Sequence, residues 1–141
     1  MNPDSVFWKV ANGELPLPNA SNLLGWTFIS YDKQERKAYI EFQAGIELTN
    51  LMGNISGGML KAMLDDSMGP AVYADLSTNQ VAVTIEAKTQ FFRPALPGRI
   101  FGWGRVDHAT KDLCFTTGQL SNGADEVLAR ATAIFKIQNL K

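Results

Sequence analysis

The chain has 141 residues, of which 45% are apolar and 19% charged, the size and balance of one globular domain rather than of two domains or a disordered chain. Thirteen Lys and Arg against fourteen Asp and Glu leave a net charge of −1, too weak a positive field for non-specific binding to nucleic-acid phosphates. No apolar run approaches the roughly 18 to 20 residues of a membrane span, and Asp4 precedes any signal-like apolar stretch, so a cytoplasmic protein is expected. One cysteine, Cys114, excludes an internal disulfide; one histidine, His108, excludes most zinc sites, and no metal is expected.

In chain order, Asn2-Pro3 reads as an N-cap with proline in the first turn of a short helix. Val6, Phe7 and Val10 fall on one face of it, and Gly13 stops it. Glu14 to Leu24, with two prolines and several Asn and Ser, reads as a loop. Two strands follow, Gly25–Tyr31 and Lys37–Ala44, around the polar turn Asp32 to Arg36. From Ser56 to about Ala74 the apolar period becomes helical, with Met59/Met63 and Leu60/Leu64 four residues apart and Pro70 near the end. In the next strand Val81, Val83, Ile85, Ala87 and Phe91 fall on one face, opposite Thr84, Glu86, Lys88 and Gln90. Ile100–Val106, Leu113–Leu120 and Val127–Ile137 complete an antiparallel meander, with Ser121-Asn122-Gly123 as a turn. The expectation is a single α+β domain over 1–141: an N-terminal helix and loop (1–24), then a core (about 25–138) whose sheet wraps one long helix. Such a sheet leaves edges, which pairing with a second copy would remove.

The stretch with chemical content is Leu48 to Asp66. Ser56-Gly57-Gly58 stands where the long helix begins, and bare backbone N–H groups at a helix N-terminus suit an oxygen anion such as a developing thioester oxyanion or a phosphate. Equally, Ser56 caps the helix and the glycines permit close packing. Asp65 and Asp66 lie in an otherwise apolar helix; a carboxylate on a buried face is costly unless paired and so hints at function, whereas on a solvated edge it means nothing. Gly57 and Asp65 are eight residues apart, roughly 12 Å along one helix at about 1.5 Å per residue, too far for both to act on one carbonyl carbon. A joint role requires Gly57 of one chain and Asp65 of another, that is, a dimer.

At these residues the sequence resembles the PaaI-like hotdog-fold acyl-CoA thioesterases. Their motif has an asparagine, then His-Gly-Gly, an aspartate seven residues past the second glycine, and a later Ser or Thr strand residue ahead of an aromatic–x–Pro segment. Here Asn50, Gly57-Gly58, Asp65, Thr84 and Phe92-Arg93-Pro94 stand at those positions, and the resemblance runs from about Ala38 to Ile137. It implies a hotdog fold, homodimeric and in some cases a dimer of dimers, acting on acyl-CoA with the active site between subunits; coenzyme A is part of the substrate and no cofactor is implied. It further implies that the Gly57 N–H polarises the thioester carbonyl, that Asp65 of the partner subunit acts as nucleophile or general base, and that Thr84 and Asn50 position the reacting groups. Gly58 belongs to the same oxyanion-binding turn.

The chain departs from the pattern in two places. Ser56 replaces the histidine that contacts the substrate near its thioester or sulfur; serine does not titrate near neutral pH, and it either keeps a substrate hydrogen bond or merely caps the helix. A hotdog protein that binds acyl-CoA or a related thioester without turnover is therefore the alternative to a thioesterase. The turn at Asp107 to Asp112 lacks the family's glycine but has Lys111, which with Arg93 is a candidate for a CoA phosphate or simply a solvated charge. His108 reads as a surface residue, Cys114 as a small core residue, and Trp8, Trp26 and Trp103 as core or acyl-pocket lining.

Overall fold

The computed structural model describes residues 4–140, so the Asn2-Pro3 cap lies outside the described residues. Helix α1 (Val6–Ala11) is capped by the Ser5 side chain, which accepts from the Trp8 N–H. The expected loop that follows contains a second short helix, α2 (Asn19–Leu23), with Pro18 as its N-cap residue. Proline at a helix start costs no hydrogen bond, so a segment that looks like punctuation begins a turn of helix instead. Trp8, not Val6, is the buried residue of α1, and its indole N–H donates to the Ala74 carbonyl at 3.1 Å.

The strands are β1 (Trp26–Asp32), β2 (Lys37–Ala44), β3 (Gln80–Phe91), β4 (Gly98–Ala109), β5 (Leu113–Ser121) and β6 (Val127–Asn139), with α3 (Gly57–Tyr73) between β2 and β3. They form one six-stranded sheet in the order β1-β2-β4-β5-β6-β3, and every neighbouring pair is antiparallel. The four later strands are thus not a simple meander. β3 crosses to the far edge and pairs with β6, while β2 takes the place beside β4. This is the hotdog fold: the sheet curls around α3, whose buried residues Met63, Leu64, Met68 and Val72 meet Ile40, Phe42, Ile100 and Leu120 from the inner face of the sheet.

Three glycines of β4 and β5 let the helix sit so close. A side chain at Gly102 would strike the Ser67 hydroxyl, one at Gly104 the backbone of Ser67 and Met68, and one at Gly118 the Met68 side chain. Gly104 and Gly118 are register partners, so the bare patch spans two strands directly beneath the middle of α3. Cys114 is buried and His108 is exposed, as expected. Trp103 is neither core nor pocket; it lies on the outer face of the sheet, with the Lys37 ammonium 4.3 Å and the Arg105 guanidinium 5.3 Å from its ring centre.

The largest local departure from the expected pattern is in β3. Its register against β6 shifts between Thr84 and Glu86, a β-bulge centred on Ile85. A bulge adds one residue to a strand and so exchanges its faces from that point on. Thr84 opposes Phe135, Ala87 opposes Ala133 and Phe91 opposes Ala129, all three partners buried on the inner face. Val83 and Ile85, expected on one face with Ala87 and Phe91 and opposite Thr84, are 46% and 55% exposed on this edge strand, and Thr84 shares the inner face with Phe91 instead.

Candidate functional site

Helix α3 starts where Ser56 leaves extended backbone, and the Met59 and Leu60 N–H groups bond back to the Ser56 carbonyl at 3.0 and 3.1 Å. Ser56 is the N-cap residue by position, yet its hydroxyl makes no capping bond. The Gly57 and Gly58 N–H groups have no protein acceptor among the described residues. Gly57 lies under the Phe91 ring, which a side chain there would reach at 3.5 Å, an ordinary contact. Asn50 spends its carboxamide oxygen inside its own loop, accepting from the Met52 and Asn54 N–H groups at 3.0 and 3.2 Å. That loop carries Leu51 and Met52 into the open, 106% and 82% exposed.

Two helical turns further on, the Thr84 hydroxyl donates to Asp65 Oδ1 at 2.6 Å. The bulge brings these two together: without its extra residue, the chain would be out of phase between Thr84 and the Phe91 that covers Gly57. The Asp66 carboxylate accepts from the Ser21 hydroxyl at 2.8 Å, and the Asp66 carbonyl accepts from the Trp26 indole N–H at 2.9 Å. Neither aspartate therefore lies on a solvated edge; both are half-buried and hydrogen-bonded. Burial is the main reason the Asp66 carboxyl is pushed above its ordinary value; the Ser21 bond opposes that shift and the neighbouring Asp65 charge adds to it.

Asp65, Thr84, Asp66 and Ser21 all border one cavity of about 460 Å³ that runs beside the C-terminal half of α3. Its other walls are mostly apolar and include Phe7 and Val10 of α1, Trp26, Tyr73, Ala82 and Phe135. Trp26 is thus the one tryptophan of the three that lines it. The contribution of α2, and the pairing of Ser21 with Asp66, were not legible in the sequence. Ser21 sits in a proline-bounded stretch with no motif, and only the chain's path across the sheet brings it to α3.

The candidate phosphate-binding cations are not brought together. Arg93 pairs with Glu126 at 3.0 Å just beyond β3, while Lys111 is in the turn after β4. The eleven-residue step along β4 from Gly98 to Ala109 separates those two ends of the sheet by about 36 Å at about 3.3 Å per residue. In one subunit they cannot grip the same phosphate. Among the described residues no group of three His, Cys, Asp or Glu side chains could hold a metal ion, and no helix is long and apolar enough to cross a membrane.

Comparison with known proteins shows the family of the chain. Residues 52–129, more than half of the chain, match the family model of the thioesterase superfamily. The structure of a phenylacetic acid degradation-related protein from Ralstonia eutropha JMP134 is similar over 92% of this chain and 98% of its own, at 30% identity and a TM-score of 0.88. The Escherichia coli PaaI protein of the phenylacetic acid degradation operon aligns over 96% and 94% of the two chains, at 19% identity and a TM-score of 0.79. A Streptococcus mutans protein solved with acetyl CoA bound aligns over 82% and 90%, at 17% identity and a TM-score of 0.72. Among curated proteins none matches the chain. The match over α3 and the strands that surround it, together with the 30% relative, places this chain in the thioesterase superfamily, as a PaaI-like hotdog protein.

Proposed function

We propose that the protein hydrolyses acyl-CoA thioesters at a site completed by a second copy of the chain. The observation that carries this reading is the 2.6 Å hydrogen bond from Thr84 to Asp65 at the edge of a largely apolar cavity, in a member of the thioesterase superfamily. The Thr84 hydroxyl fixes one carboxylate oxygen, and the other is left to act on the substrate. As a general base, Asp65 takes a proton from water as the oxygen attacks the thioester carbon. As a nucleophile, its oxygen attacks that carbon itself and water then cleaves the mixed anhydride. In either route the carbonyl oxygen gains negative charge, which the unpaired Gly57 N–H at the partner's helix N-terminus stabilises. The C–S bond then breaks, and the CoA thiolate leaves and takes up a proton. Asn50 acts indirectly by shaping the loop before Gly57, and Gly58 keeps that turn free of side chains. Arg93 and Lys111, at opposite ends of the sheet, would serve CoA phosphates only from different subunits.

Ser56, standing where the resembling enzymes have a substrate-contacting histidine, favours a second reading, a protein that binds acyl-CoA without turning it over. Thiol release from a panel of short, medium, long and aromatic acyl-CoAs, run beside Asp65→Ala, separates the two. The thioesterase reading expects turnover by the native protein and a loss of at least about 100-fold in the variant. Binding of the same panel without thiol release would instead establish the second reading, and an Asp65→Ala variant with native turnover would refute the mechanism.

A further inference from the structure

Asp66 has no part in that mechanism, yet it borders the same cavity one residue beyond Asp65. Of its two carboxylate oxygens only Oδ2 is engaged, by Ser21. Oδ1 has no donor among the described residues, and it is not enclosed: Arg36 Nε is the one sealed side-chain polar atom without a hydrogen-bond partner there. Asp66 thus brings a carboxylate with one unengaged oxygen to a cavity whose walls include Phe7, Trp26, Tyr73 and Phe135. An acceptor left unmet in an apolar pocket disfavours a plain hydrocarbon and favours a ligand that brings a donor.

We infer that Asp66, held in place by Ser21, is a specificity-determining residue that selects acyl groups carrying a hydroxyl close to the thioester carbonyl. The inference rests on the thioesterase reading and deepens it. The position of the hydroxyl follows from the chain. Asp65 and Asp66 are adjacent on α3 and border the same cavity, so with the carbonyl carbon at Asp65 a donor for Asp66 lies on the part of the acyl group next to the carbonyl. A 3-hydroxyacyl chain meets that requirement. An acyl group ending in a carboxylate at the same reach would face two aspartates and is rejected by like charge. Ser21 sits in α2, outside residues 52–129 matched to the superfamily model, so this selectivity is built by the N-terminal segment on a shared catalytic frame.

The test is a matched pair, hexanoyl-CoA and 3-hydroxyhexanoyl-CoA, compared by kcat/KM in the native protein, Asp66→Ala and Asp66→Asn. The native protein is expected to prefer the hydroxylated substrate by about tenfold or more, as for a hydrogen bond to a charged acceptor. Asp66→Ala brings the ratio close to one, and Asp66→Asn, which keeps an acceptor oxygen, retains part of it. A purely structural role for Asp66 would lower both rates together and leave the ratio alone. Equal rates for the pair in the native protein, or a ratio unmoved in Asp66→Ala, overturn the inference. Should Asp66→Ala not fold, judged by its thermal melt, Asp66→Asn and Ser21→Ala read the same ratio. If no thioester is cleaved, the thioesterase reading fails separately. Calorimetric Kd values for the non-hydrolysable thioether analogues then decide the inference: a tenfold preference for the hydroxylated analogue upholds it and equal affinities overturn it.

Discussion

The two adjacent aspartates of α3 divide the chemistry of the cavity because each has a different hydroxyl partner. Thr84 reaches Asp65 from the sheet, and Ser21 reaches Asp66 from α2. The surroundings of Asp66 also set a stability cost. Burial raises its carboxyl above the ordinary value of 3.8, so the folded chain holds the proton more tightly than the unfolded chain. The stabilisation from that proton is complete below the unfolded value and is lost as pH rises through the folded value. At neutral pH the charged carboxylate therefore weakens the fold. Asp66→Asn keeps an acceptor for Ser21 and removes the charge, so its melting temperature is expected to exceed that of the native protein near neutral pH. Towards pH 3, where the native carboxyl is also neutral, the gap should close. Thermal melts of both proteins across that range check it, and coincident curves throughout would contradict the account. A charge kept in a place where it destabilises is what a ligand-selecting residue looks like.

At the scale of the elements, the distance between α3 and the sheet is set by absent side chains. Gly104 has no room even for a methyl group, because one would collide with the Ser67 carbonyl oxygen and the Met68 Cα, backbone atoms that move only with the helix. Gly104→Ala is expected to destabilise the protein by about 3 kcal/mol or more, read as a lowered midpoint in urea unfolding. A variant as stable as the native protein would show that α3 can shift on the sheet without penalty. The bulge in β3 works in the other direction, adding a residue so that Thr84 and Phe91 both face inward, one towards Asp65 and the other over Gly57. β-bulges commonly re-aim side chains beside functional sites.

For the whole molecule, β3 is paired on one side only, with β6, and its free edge presents Val83 and Ile85. Leu51 and Met52, in the loop before α3, and Phe92 and Leu96, in the loop after β3, are also exposed, and the two loops are joined where the Ala95 carbonyl accepts the Ile55 N–H. An exposed apolar edge strand is a pairing surface, and the proposed dimer would use it to set Gly57 of one copy near Asp65 of the other. Val83→Lys combined with Ile85→Lys is expected to give a folded monomer whose thioester hydrolysis falls by about 100-fold or more. Sedimentation and thiol release on the same preparation check this; a monomer with full activity would show the site to be complete within one chain.

Local pattern determined a good deal of this protein by itself. Helical spacing from Ser56 to Ala74 and strand alternation after it gave α3 and the later strands within a few residues, because apolar period depends only on which face each element buries. Asn50, Gly57-Gly58, Asp65 and Thr84 carried the resemblance to the PaaI-like thioesterases, and the chain does belong to that superfamily. Strand order was a tertiary outcome: β3 beside β6 rather than β4 is a long-range pairing that no local window contains. The face of Thr84 depended on a bulge that exists only in register with β6, and two-residue periodicity is blind to one inserted residue. The cavity wall was equally hidden, since Ser21 and Asp66 are 45 residues apart and meet only because α2 folds back across the sheet onto α3.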